Sequence, residues 1–340
     1  MAQQTLMEQE TREAPAVAAR LAAESETLAG LGGRLRGMNP RLVLAAGRGS
    51  SDAAALMAKY VLETRLGLPT VSVAPSVHSI YGARLKLEDA LVLAISQSGR
   101  SPDLVEFCRS ATGSNVLRVG MINAADAPLA SAVDVALPLL AGPEKSVAAT
   151  KSCIAAMTLV LGLVAHWRQS AEMIAAFARA GDVLARALET DWSGADAFLD
   201  GDGPVYVVGR GTGLAIAAEA ALKLKETSGL HAESISAAEI RHGPYALAGP
   251  RLRVIMFAQR DETFAGLKIL AADLVQQGAS VLLISPDASL PGMHVPADEE
   301  PLLELTSMLA RFYLFANAAA LRRGRSPDAP PMLSKITETR

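Results

Sequence analysis

With 340 residues, half of them apolar, the chain is long enough for two ordinary hydrophobic cores. Its 32 basic and 35 acidic side chains leave a net charge of −3, which gives no basic field for nucleic acid and favours a small-molecule partner. The two cysteines, Cys108 and Cys153, cannot build a disulfide framework or a zinc site, and the polar N-terminal stretch lacks a signal-peptide pattern, so a cytoplasmic protein is expected.

Residues 1–37 carry Val17, Leu21, Leu28 and Leu31 at helical spacing, which predicts a leading helix packed on the body. An apolar strand over 42–46 then runs into Gly47-Arg48-Gly49, with Ser50, Ser51 and Asp52 suited to start a helix. Short apolar strands follow at 70–73, 90–95, 116–121 and 133–138, alternating with helical stretches. The run from 154 to 165 falls short of the roughly 20 residues a bilayer needs and reads as a buried helix, so no membrane partner is expected. A second series of strands is predicted at 205–208, 254–258, 280–285 and 294–295, before a helix around 305–321 and a tail over 323–340.

The two series are copies. Gly47-Arg48-Gly49-Ser50 matches Gly209-Arg210-Gly211-Thr212, and Ser96-Gln97-Ser98 matches Ala258-Gln259-Arg260, with the same offset for both pairs. The expected fold is therefore α/β: two tandem, doubly wound parallel-sheet domains of flavodoxin-like type related by internal duplication.

Two loops of the first copy are rich in hydroxyls: Gly49-Ser50-Ser51, and the stretch from Ser96 through Gln97, Ser98, Gly99 and Arg100 to Ser101. A single such cluster is ordinarily only a cap or turn. Two of them, following neighbouring strand ends where helix N-termini present free N–H groups, make a phosphate cradle. The second copy keeps the strands but replaces the serines by Ala258 and Arg260, so one phosphate per chain is expected, in the first domain. A dinucleotide fingerprint is excluded because no third glycine follows Gly47 and Gly49 at the required spacing.

The second copy carries a different cluster. Glu219, Lys223 and Glu226 fall on one helix, followed by His231, Glu233 and then His242 before Gly243-Pro244. Lys223 and Glu226, three apart, share a helical face. Such a pair is most often a solvated ion pair, but two of the chain's five histidines lie in this stretch. A carboxylate and an imidazole, Glu226 and His242, suffice to move a proton between adjacent sugar carbons. The spacing supports neither a metal site nor a cofactor site, and none is expected.

The strings GRGSS, SQSGRS, EKSVAATK, ALKLKETSGLHAE and EIRHGP, with D-x-P-x-x-L-x-K near the end, resemble the sugar-isomerase (SIS) domain family, most closely the isomerase half of glucosamine-6-phosphate synthase. The resemblance implies two SIS domains, over 38–180 and 190–322, and a homodimer. It places the sugar phosphate on Ser51, Ser96, Gln97, Ser98 and Ser101, with Ser50 and the backbone of Val147 at the sugar hydroxyls. It makes Glu226 the base between C1 and C2, Lys223 a lysine beside it, and His242 the ring-opening histidine, offered by the neighbouring subunit. Lys335 becomes the tail amine that meets the open-chain carbonyl. From the sequence itself, the flanking Leu333 and Ile336 are expected to dock the tail as apolar anchors.

Departures from the family pattern are Arg48 for a cysteine, Ala149 for a frequent serine and Arg100 for an acidic residue. With Ala2 and only about forty residues before the first strand, no glutamine-hydrolysing domain is expected. The implied reaction is then deamination of glucosamine 6-phosphate to fructose 6-phosphate and ammonia, as in stand-alone SIS pairs of the isomerase-type deaminase kind. Galactosamine 6-phosphate or a fructosamine 6-phosphate adduct is the alternative substrate. A non-catalytic sugar-phosphate sensor is the alternative of another class, and would need the serine loops without Glu226, His242 and Lys335.

Overall fold

Strands buried on both faces need no polar alternation, and the short runs of valine, leucine, isoleucine and alanine form strands of that kind. The computed structural model describes residues 4–335. Three helices lead, α1 (Leu6–Arg12), α2 (Ala14–Ala22) and α3 (Ser25–Met38), ahead of β1 (Leu42–Ala46) and α4 (Ser50–Leu66). Next come β2 (Thr70–Ser72), α5 (Ser76–Ser79), β3 (Leu87–Ser96), α6 (Pro102–Ser110), β4 (Gly113–Ile122) and β5 (Val135–Pro138). Helices α7 (Lys151–Arg168), α8 (Ala171–Ala178) and α9 (Ala180–Leu188) follow, then β6 (Val205–Gly209), α10 (Gly213–Ser228) and β7 (Ala232–Ser236). The chain continues with β8 (Arg253–Phe257), α11 (Phe264–Gln276), β9 (Ser280–Ser285), β10 (Met293–His294) and α12 (Pro301–Arg322).

These elements divide into two compact units. The first unit holds residues 16–144 and 151–179 together with Ser334 and Lys335; the second holds 4–15, 145–150 and 180–333. The first unit's sheet is parallel throughout, in the order β2-β1-β3-β4-β5. The second unit's sheet is also parallel, in the order β7-β6-β8-β9-β10, which is the same order once counting starts at β6. In both, the chain winds to one side and then to the other, so loops diverge between β1 and β3 and between β6 and β8 and leave a crevice at the strand ends.

The duplication extends to single backbone positions. Gly49 and Gly211 both adopt the left-handed region, at φ 56° and 57°. A Cβ on Gly47 would run into the carbonyl of Ser51, and one on Gly209 into that of Gly213. The strand-to-helix turn is so tight that only glycine fits its first position in either copy. Each sheet then buries one face on its own helix: Val92, Ala94 and Ile122 against Leu104 and Phe107 of α6, and Val208 and Met256 against Leu267 and Leu270 of α11.

Two expectations are corrected. The leading segment is three helices and is shared between the units, residues 4–15 with the second and 16–38 with the first. Pro15 fits only a first helical turn, and a new helix starts at Ala14. Residues 232–236, read only as chemistry-bearing sequence, form the edge strand β7 beside β6. An edge strand pairs on one side only, so Glu233 and Ser234 need no apolar replacement there. The 154–165 run lies in α7, which is buried from Lys151 to Trp167. Among the described residues no helix is long and apolar enough to cross a membrane.

Candidate active site

Ser50 and Ser51 open α4 after β1, and Ser96 to Ser101 connect β3 to α6, so both loops lie at the β1/β3 crevice of the first unit. Ser96, 5% exposed, accepts at its Oγ from the N–H of Gly99 at 2.9 Å, and Ser98 Oγ accepts from the N–H of Arg100 at 3.3 Å. A hydroxyl that accepts from its own loop keeps its proton to donate. Ser101 is the N-cap of α6, yet its side chain makes no capping bond. Among the described residues the side chains of Ser50, Ser51, Gln97 and Ser101 make no hydrogen bond and are half-buried. Four polar side chains thus lie uncommitted at two helix N-termini, where the sequence leads one to expect a phosphate.

Arg48 ties the two loops together. Its Nε and Nη2 donate to Oδ2 of Asp103, at 2.9 and 2.5 Å, and Asp103 is 2% exposed at the start of α6. An uncompensated carboxylate there would repel phosphate, and the guanidinium cancels it. Arg100, 46% exposed at its side chain, adds a second cation, 3.6 Å from Asp126.

The second unit fills the equivalent crevice with its own side chains. Gln259, fully buried, donates to the Arg210 carbonyl at 3.1 Å, Asp261 Oδ2 at 2.8 Å and Thr263 Oγ1 at 3.2 Å. Arg260, at the position of Ser98, donates through its N–H and its Nε to the buried carboxylate of Glu304, both at 2.8 Å. A loop closed by an amide, a carboxylate and an ion pair offers a phosphate nothing.

Helix α10 leaves that tight turn and carries the residues expected to supply the acid–base chemistry. Glu219, Lys223 and Glu226 lie on one face, and Lys223, 1% exposed at its side chain, is ion-paired with Glu226 and sits 3.6 Å from Glu219. Tyr313 of α12 donates to Glu219 Oε1 at 2.9 Å. A buried ammonium requires compensating charge. Glu219, fully buried, supplies it from inside, and Glu226, with 21% of its side chain exposed, faces outward. Glu219 follows the i,i+4 spacing visible in the sequence; Tyr313, 94 residues away, has no sequence signal. His242 ends a short 3-10 turn, Glu239–His242, and is exposed, as are His231 and Glu233.

Lys335, with 24% of its side chain exposed, lies 3.6 Å from Oε2 of Glu144, a carboxylate wholly buried at its side chain. Glu144 also accepts from the N–H of Ser152 at 3.1 Å and from its Oγ at 2.5 Å. Of the expected anchors, Leu333 is 47% exposed and is not docked, while Ile336 lies outside the described residues. Pro327 and Pro330 are buried instead, because rigid rings pack at little entropic cost. Val147 donates its N–H to the carbonyl of Asp328 at 3.1 Å, so only its carbonyl side remains for a sugar hydroxyl. The first unit thus gathers the two serine loops and Lys335, and the second gathers Glu226, Lys223, His242 and Val147.

The SIS domain family model matches residues 39–165 and 201–320. The glutamine–fructose-6-phosphate aminotransferase (isomerizing) of Aeropyrum pernix is 35% identical over 315 residues, covering 86% of this chain and 50% of that protein. The chain spans about half the length of the aminotransferases it matches. Among solved structures, a candidate phosphosugar isomerase from Silicibacter pomeroyi superposes with a TM-score of 0.88 at 36% identity, covering 96% of this chain and 100% of the other. The glucosamine-6-phosphate deaminase of Thermotoga maritima shares the fold, with a TM-score of 0.78 at 19% identity, covering 98% of this chain and 100% of the other.

Proposed function

Because the chain belongs to the SIS domain family, we propose that it is an amino-sugar-phosphate deaminase, converting glucosamine 6-phosphate to fructose 6-phosphate and ammonia. The serine loops hold the phosphate, and His242, offered by the neighbouring subunit of a homodimer, assists ring opening. Lys335 meets the open-chain carbonyl. Glu226 takes the C2 proton and returns it to C1, which leaves an imine at C2. Water adds to that imine and ammonia leaves.

The observation that carries this reading is the Glu219–Lys223–Glu226 row. A lysine this deeply buried, held between two carboxylates of which one alone reaches the surface, fixes a proton carrier in place and is costly as mere surface decoration.

The test is to incubate the pure protein with glucosamine 6-phosphate and galactosamine 6-phosphate separately and to follow ammonia and ketose phosphate. Equal release of ammonia and fructose 6-phosphate from glucosamine 6-phosphate supports the proposal. No ammonia from glucosamine 6-phosphate would overturn it.

A further inference from the structure

Three successive backbone N–H groups, those of Lys145, Ser146 and Val147, are held by parts of the second unit that carry none of the chemistry above. The Glu10 carboxylate, on α1 and 5% exposed, accepts from the N–H of Lys145 and from that of Ser146, the latter at 3.4 Å to Oε1 and 3.2 Å to Oε2. The Val147 N–H goes to the Asp328 carbonyl at 3.1 Å. Asp328 then closes the circuit, because its carboxylate accepts from the N–H groups of Leu6 and Met7 at the start of α1, both at 2.8 Å. Thr5 fixes the same helix end: its Oγ accepts from the Glu8 N–H at 3.1 Å and donates to Asn317 of α12 at 2.7 Å.

Capping a surface loop needs only a neutral acceptor or water, and a buried carboxylate is an expensive way to do it. What charge adds is strength and fixed direction, since a carboxylate that accepts from two adjacent N–H groups restricts the dihedrals between them. The segment so restrained begins two residues before Val147. We propose that Glu10 is a positioning residue for sugar recognition: through Glu10 and Asp328, α1 sets the conformation of residues 145–147, which present the Val147 backbone to the sugar hydroxyls. The assignment of the sugar to Val147 rests on the proposed function; the brace itself rests on the hydrogen bonds.

Amide hydrogen exchange and ligand measurements on the full chain separate the two. In Glu10→Ala, exchange across residues 145–147 should quicken by about tenfold or more while β1 and β3 exchange as in the wild type. The KM for glucosamine 6-phosphate should rise by about tenfold with a smaller change in kcat. Glu10→Gln keeps one acceptor oxygen and should fall between wild type and Glu10→Ala in both measurements, and it serves alone if the alanine variant does not fold. Unchanged exchange in the variants overturns the brace whatever the chain acts on. Faster exchange with unchanged KM overturns the positioning role. A wild type that releases no ammonia defeats the proposed reaction but not this inference, because the Kd of glucosamine 6-phosphate, measured by calorimetry, then stands in for KM with the same expected rise and the same overturning result.

Discussion

At the residue scale, Lys223 and its two carboxylates do different work although they share one helix face. Glu226→Gln should fold and bind sugar phosphate, because the amide keeps the size of a side chain that is already 21% exposed, while kcat falls about a hundredfold or more. Lys223→Met should lower stability as well as turnover, by about 3–5 kcal/mol in chemical denaturation, since it removes the cation that lies 3.6 Å from the fully buried Glu219 carboxylate. Equal stability of the two variants would show the row to be a surface ion pair. A second residue pair predicts a pH response. Arg118 donates to both carboxylate oxygens of Asp134, and this hydrogen bonding holds the Asp134 carboxyl below its ordinary 3.8. The pair therefore contributes stability above that pH, and the contribution fades as pH falls through the lowered value. The Tm difference between wild type and Asp134→Asn should be widest near neutrality and shrink below about pH 4; a difference independent of pH would sink the argument.

At the scale of elements, the parts legible in the sequence are those written in local chemistry. Apolar strands, tight glycine turns and serine-rich helix starts each need neighbouring residues only, which is why both copies, with their turns at Gly47 and Gly209 and the loop from Ser96 to Ser101, could be read from the sequence. Glu10 and Tyr313 left no such trace, and Glu144 and Asp328 stand in the strings quoted for the resemblance without any sign of their bonds. Their bonds reach partners 135 residues away for Glu10 with Lys145 and 321 for Asp328 with Met7, and neither periodicity nor spacing records a contact of that length. The tail shows both cases: Lys335 was visible by resemblance, while its anchoring by Asp328, Pro327 and Pro330 was not. Truncation after Asp328 keeps the Asp328 bonds to α1 and removes the Lys335–Glu144 ion pair. Because Glu144 keeps both bonds from Ser152 and its cation was already partly exposed, Tm should fall by no more than about 5 °C, while deamination falls at least a hundredfold. Full activity in the truncated protein would make the tail a passive end.

At the scale of the whole molecule, the proposed homodimer makes a quantitative prediction. His242 is exposed in the single chain, whereas Glu226 is held against its own Lys223. If each site draws His242 from the other subunit, co-expressing His242→Ala with Glu226→Gln should restore about a quarter of wild-type activity, because mixed dimers form about half the population and retain one intact site. No recovery above the separate variants would place His242 in the site of its own chain.

The closed crevice of the second copy means that one repeat column carries two kinds of genetic lesion. Among the described residues the Gln97 side chain makes no hydrogen bond, whereas that of its counterpart Gln259 is fully buried and makes three. Gln97→Ala should leave cellular abundance untouched and raise the KM for sugar phosphate. Gln259→Ala should lower stability by about 1–3 kcal/mol through the stranded partners Asp261 and Thr263, and so deplete the protein before it alters a rate. In a mutational scan that measures abundance and activity separately, matched positions of the two halves would part along those axes: phenotypes in the first half would arise from an enzyme present but slow, and in the second from an enzyme that is scarce.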